Sequence, residues 1–75
     1  MEEPSKEGEL LKLAKRVAQL RDQKGISQLN AYNDTGIHFG RIEQGTQDIS
    51  YFTLTKLCHY FEISITEFFD NTFQK

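Results

Sequence analysis

An all-α domain of five short helices is what this sequence predicts, and three observations carry that reading. Apolar residues recur at spacings of three and four, and no stretch alternates with period two for long, so no sheet is expected. The only proline is Pro4, so nothing beyond the first few residues is barred from a helix. Serines and glycines fall where helices of ordinary length begin and end. At 75 residues the chain holds one core, since chains under about 100 residues rarely divide into two. It divides into a flexible acidic lead over residues 1–8, a helical domain over 9–70 and a tail over 71–75.

From Leu10 to Lys24 the residues Leu10, Leu13, Ala14, Val17 and Leu20 line one side of a helix, and Gly25 stops it. Lysines and arginines fill the remaining positions, with Lys12, Lys15 and Arg16 expected on the solvated face. Ser27 caps a second helix to about Asn33. Asp34 and Thr35 supply the cap of a third, Gly36 to Gln44. Its glycines, Gly36 and Gly40, each cost about 1 kcal/mol relative to alanine in a helix interior. Thr46 to Ile49 form a loop. Ser50 then caps a fourth helix to about Phe61, whose inner face takes Tyr51 or Phe52 together with Leu54, Leu57, Cys58 and Phe61. In Ser64-Ile65-Thr66-Glu67 the serine hydroxyl reaches forward and the glutamate back, a capping box that opens a fifth helix ending near Asp70.

Composition narrows the function classes. Apolar residues are 37% and charged residues 27%, which suits a folded, soluble chain. No apolar run approaches the roughly 20 residues that span a bilayer. The start, Met1-Glu2-Glu3-Pro4-Ser5-Lys6-Glu7, resembles neither a secretory signal nor a transit peptide, so a cytoplasmic location is expected. The single cysteine, Cys58, excludes an internal disulfide and a multi-cysteine zinc site, and His38 and His59 are a poor metal set. No glycine-rich phosphate loop and no His/Cys or Ser/His/Asp set is present. The chain is therefore not expected to be an enzyme or to hold a cofactor, metal or small-molecule ligand. The net charge is −2, but residues 1–9 carry −3, residues 10–41 carry +4 and residues 42–75 carry −3. A basic middle sits between acidic ends.

Three blocks then fall in order. Leu20-Arg21 leads into Gly25-Ile26-Ser27-Gln28. Arg41-Ile42-Glu43-Gln44-Gly45 follows. Ser50, Thr53-Leu54, Leu57-Cys58, Ile63-Ser64 and Glu67-Phe68-Phe69 close the pattern. From about Val17 to Phe69 the chain resembles the Cro/CI-type (XRE-like) helix-turn-helix family, whose fold is that of lambda repressor. The 12 residues between Gln28 and Arg41 are about three fewer than the family usually has, and the alignment is anchored on Arg41-Ile42-Glu43.

The resemblance implies a sequence-specific, double-stranded-DNA-binding transcriptional regulator with its third helix, about 35–44, in the major groove. Phe39 and Ile42 match buried positions. The outward residues are Thr35, Gly36, Ile37, His38, Gly40, Arg41 and Gln44. Arg41 is the best base reader among them, since a guanidinium can bond guanine O6 and N7 together. Ile37 is either a contact for a thymine methyl or a partner of the core. His38 is either a phosphate or base contact or an ordinary surface histidine. Gly36 and Gly40 allow close approach to a DNA backbone, or close packing of the third helix on the second. Thr35 either bonds phosphate or caps a helix. The family's glutamine, here Gln28, bonds phosphate and buttresses a side chain of the third helix. Arg21 and Glu43 match a structural ion pair joining the first and third helices. Gln44, Thr46 and Gln47 are neutral where the family often has lysine or arginine.

Seven of the nine aromatics follow residue 50, more than so short a stretch can readily bury, which points to an exposed apolar patch; the alternative is that they replace leucines in a tightly packed core. The family commonly pairs near its fifth helix. The resemblance therefore implies a homodimer through Phe52, Phe68, Phe69 and Phe73, bound to a palindromic operator. The rival reading is a protein-interaction module that kept the fold and lost strong DNA binding; the shortened turn, neutral loop and acidic flanks favour it. Salt-sensitive binding to random duplex separates the two, since counterion release marks phosphate contact.

Overall fold

The computed structural model describes residues 3–73, which form five α-helices and a closing 3₁₀ turn, with no strand among the described residues. Helix α1 (Lys6–Lys24) starts four residues before the expected Leu10. Ser5 is the reason: its backbone is extended, and its Oγ accepts the N–H of Gly8 at 3.0 Å. Glu7 and Glu9 in the first turn complement the partial positive charge of the helix start. These gains offset the cost of Gly8 inside the helix, so the lead expected over 1–8 is already helical from Lys6. Gly25 ends α1 in the left-handed region at φ 74°, and its N–H reaches the carbonyls of Arg21 and Asp22.

Helix α2 (Gln28–Thr35) is capped by Ser27, whose Oγ accepts the Asn30 N–H at 3.1 Å. Thr35 and Gly36 close this helix and do not open the next. Gly36 lies at φ 76° and donates its N–H to Tyr32 O, while the Thr35 hydroxyl donates to Ala31 O at 2.7 Å and accepts the Ile37 N–H at 3.0 Å. Helix α3 (Phe39–Glu43) is therefore five residues long, not the span 36–44, and starts after His38 without a side-chain cap. Helix α4 (Tyr51–Phe61) begins at the Ser50 cap as expected. Helix α5 (Ile65–Phe68) opens with both bonds of the Ser64–Glu67 capping box, and those bonds hold the Glu67 carboxyl below its ordinary pKa. The 3₁₀ turn spans Asn71–Phe73.

The core takes Leu13, Ala14, Val17 and Leu20 from α1 and one or two residues from each other helix. Val17, Ala31, Leu57 and Phe68 are fully buried; Phe39 and Ile42 are 1% exposed, as their spacing on α3 requires. Helix α1 lies across α3 and the closing turn. On α4 the inner face is Leu57 and Cys58 with Leu54 and Phe61 packed beside them, while Tyr51 and Phe52 both point outward. Burial pushes the Cys58 thiol above its ordinary pKa, so it is an unreactive core group.

Arg16 is a correction to the solvated face expected of α1, for it is 7% exposed. Its Nε donates to Phe68 O at 2.7 Å, its Nη2 to Glu67 O at 2.6 Å, and its Nη1 pairs with the Asp70 carboxylate at 3.1 Å. The guanidinium thus satisfies the last carbonyls of α5 and fastens that helix to α1.

Candidate functional site

Helices α2 and α3 are held by an ionic network that starts on α1. Arg21 donates from Nε to Glu43 Oε2 at 2.8 Å and from Nη2 to Glu43 Oε1 at 2.9 Å, a two-pronged pairing. Its Nη1 donates to Ile26 O at 2.8 Å. The Glu43 side chain is 7% exposed, and Gln28 Nε2 adds a third donor to it at 3.0 Å. The Glu43 bond keeps Arg21 more firmly protonated than an ordinary arginine. The pairing of Arg21 with Glu43 is as expected, and Gln28 does touch a side chain of α3.

An open cleft of about 280 Å³ runs between the two helices. Gln28, Leu29 and Tyr32 form one wall, and Gly40, Arg41 and Gln44 the other. Arg41 is exposed and makes no ion pair among the described residues. Gly40 lies against the Gln28 amide, and a Cβ there would stand in ordinary contact with Gln28 Oε1 at 3.4 Å. His38 closes one end, its ring centred 4.8 Å from that of Tyr32.

The structure brings Gln28, His38, Gly40, Arg41 and Gln44 together around this cleft. Of the other three expected residues, the Ile37 side chain and the Thr35 hydroxyl are turned to other uses, and exposed Gly36 lies outside the cleft. Ile37 is 7% exposed and belongs to the core, because left-handed Gly36 turns the chain so that the next side chain points inward. The Thr35 hydroxyl is used in both directions within its own turn, and Gly36 is the C-cap of α2. Leu29 and Tyr32 take their place, 67% and 41% exposed. The signal for Leu29 was available. It lies two positions before buried Ala31, about 200° away around a helix, on the side that faces outward.

The other basic groups near α2 are engaged. Lys24 Nζ lies 5.1 Å from the centre of the Tyr60 ring, and Lys56 Nζ donates to Thr35 O at 3.1 Å. Tyr60 donates its hydroxyl to Asp34 at 2.6 Å, and burial with that bond pushes its pKa up to about 12.

On a different face a groove of about 230 Å³ is lined by Leu10, Leu13, Ile49, Leu54 and Phe69, with Tyr51 at its edge. Of the four aromatics expected on a dimer surface, Phe68 is fully buried and so is core. Phe52 and Phe69 are 70% and 48% exposed, and Phe73 is half-buried with its ring against Phe69.

Among the described residues, no three His, Cys, Asp or Glu side chains are placed to hold a metal ion, and no helix is long and apolar enough to cross a membrane. Comparison with family models, curated proteins and solved structures finds no match to this chain.

Proposed function

We propose that the chain is a sequence-specific regulator of transcription of the Cro/CI helix-turn-helix kind, acting in the cytoplasm and binding double-stranded DNA with α2, His38 and α3. The observation that carries this reading is Arg41. It stands exposed at the rim of the cleft without an acidic partner, while the neighbouring carboxylate, Glu43, is occupied by Arg21 and Gln28. Neutralising Glu43 removes the one charge on α3 that would repel phosphate and leaves a guanidinium to bond guanine in the major groove. The three-helix network fixes the angle between α2 and α3, which is what placing that guanidinium requires. Because α3 is only five residues long, most of the reading falls to Arg41 on α3, to Gln44 at its C-cap and to the first turn of α2.

A second copy of the chain completes the proposal. Phe52, Phe69 and Phe73, with Tyr51, form the apolar face for a two-fold dimer on a palindromic operator. The rival, a protein-interaction module, is favoured by one observation: Leu29 places an apolar side chain, 67% exposed, in the cleft itself.

Selection of bound duplexes from a random library decides between the two. The regulator is expected to enrich a palindromic motif and to bind it with a steep salt dependence. Arg41→Ala is expected to keep the parent's melting temperature and to lose about 1–3 kcal/mol of specific affinity, with discrimination relaxed at one base pair of each half-site. Absence of any enriched sequence at low salt would remove the proposal in favour of the interaction module.

A further inference from the structure

Building on the DNA-binding reading above, we infer that the α2–α3 cleft recognises a thymine beside a guanine, with Leu29 packed on the thymine C5-methyl and Arg41 bonded to the guanine. The edges of base pairs in the major groove carry hydrogen-bonding groups and a single apolar feature, the thymine methyl. The cleft presents a matching pair: one exposed aliphatic side chain on α2 and one unpaired guanidinium on α3. Between them Gly40 adds no side chain of its own, and the Gln28 amide lies against it, so the groups the two walls offer to a base edge are Leu29 and Arg41. Leu29 and Arg41 line the same cleft, and the inference places the two features they meet on neighbouring base pairs, which stack about 3.4 Å apart along the duplex.

Competing groups are accounted for. Ile37 is in the core and cannot reach a base. The Tyr32 ring is turned onto His38, which leaves Leu29 as the aliphatic group offered to a ligand. No carboxylate lies among the described residues that line the cleft, so its charge suits a polyanion and nothing there competes for Arg41.

The test uses the best-enriched duplex from the library, with each thymine replaced in turn by deoxyuridine, which lacks only the methyl. Affinities of the parent and of Leu29→Ala are compared at one salt concentration. For the parent, one thymine in each half-site should weaken binding about fourfold when replaced, the value of burying a single methyl group. For Leu29→Ala that loss should vanish, while a melting curve confirms that this exposed position leaves the fold intact. Tolerance of deoxyuridine at every position by the parent, or an equal loss in both proteins, would overturn the inference and leave DNA binding standing. A parent that binds no duplex at all would remove the DNA reading, and the inference with it.

Discussion

A guanidinium shut away from water must find its partners within the protein, and the two central arginines of α1 do so differently. Arg21 meets a carboxylate and a carbonyl, whereas Arg16 meets two carbonyls at the end of α5 and the Asp70 carboxylate. Arg21→Ala strands Glu43, 7% exposed, with Gln28 alone, and is expected to cost about 3 kcal/mol, the low end of the range for broken buried pairs. Arg16→Met keeps the apolar stem but deprives α5 of its donors, with an expected cost of about 2–4 kcal/mol. Arg16→Lys should recover only part of this, because one ammonium cannot reproduce a planar fork of donors. Urea midpoints of the three variants measure these losses. An Arg16→Met midpoint equal to the parent's would mean that the guanidinium is solvated after all. The Arg21 pair was legible because a family pattern names both partners. Charge alone places Arg16 on the surface, although it stands three residues after Leu13 and four before Leu20, on the same helix stripe as both.

Whole elements follow their end signals more than their interiors. Ser27, Ser50 and Ser64 each cap the helix that the sequence assigns to them, since a short hydroxyl accepting an N–H two or three residues on is a local interaction. The boundary between α2 and α3 was not legible, because Gly36 and Gly40 look alike in sequence and differ only in backbone. Gly36, at φ 76°, ends a helix; Gly40 lies inside one. Alanine should therefore have opposite effects at the two sites. Gly36→Ala forces a Cβ into the left-handed region and should cost about 1–2 kcal/mol. Gly40→Ala meets only the flexible Gln28 amide at 3.4 Å and should gain about 0.5–1 kcal/mol. In a domain of this size these become Tm shifts of several degrees in opposite directions. Shifts of the same sign would show that the junction between the helices is placed wrongly. The stabilised Gly40→Ala variant should also bind DNA more weakly than the parent, because its methyl group enters the cleft.

At the scale of the molecule, Phe68 and Phe69 are neighbours in sequence with opposite surroundings, and the proposed dimer assigns them opposite roles. Phe68 is fully buried and Phe69, the next residue, is 48% exposed beside the groove that Leu10, Ile49 and Leu54 line. A two-fold pairing needs a surface that offers both a projection and a recess, since the same patch must serve both partners. Exposed Phe69 and Tyr51 at the edge of a groove of about 230 Å³ supply both within one face. The mass measured by sedimentation should therefore rise from 8.7 kDa toward twice that value as the protein is concentrated. Phe69→Ser should weaken this association by about 2 kcal/mol or more, the loss typical of an aromatic anchor near the centre of an interface, while leaving the fold intact. Phe68→Ala should act the other way round, losing about 3–5 kcal/mol of folding stability because it empties the core. On the proposed DNA reading two binding faces are needed to read a palindrome, so Phe69→Ser should bind a single half-site as the parent does and lose the advantage of the full operator. A parent that sediments at 8.7 kDa at every concentration, yet binds the full palindrome cooperatively, would show that the DNA, and not the aromatic face, brings the two copies together.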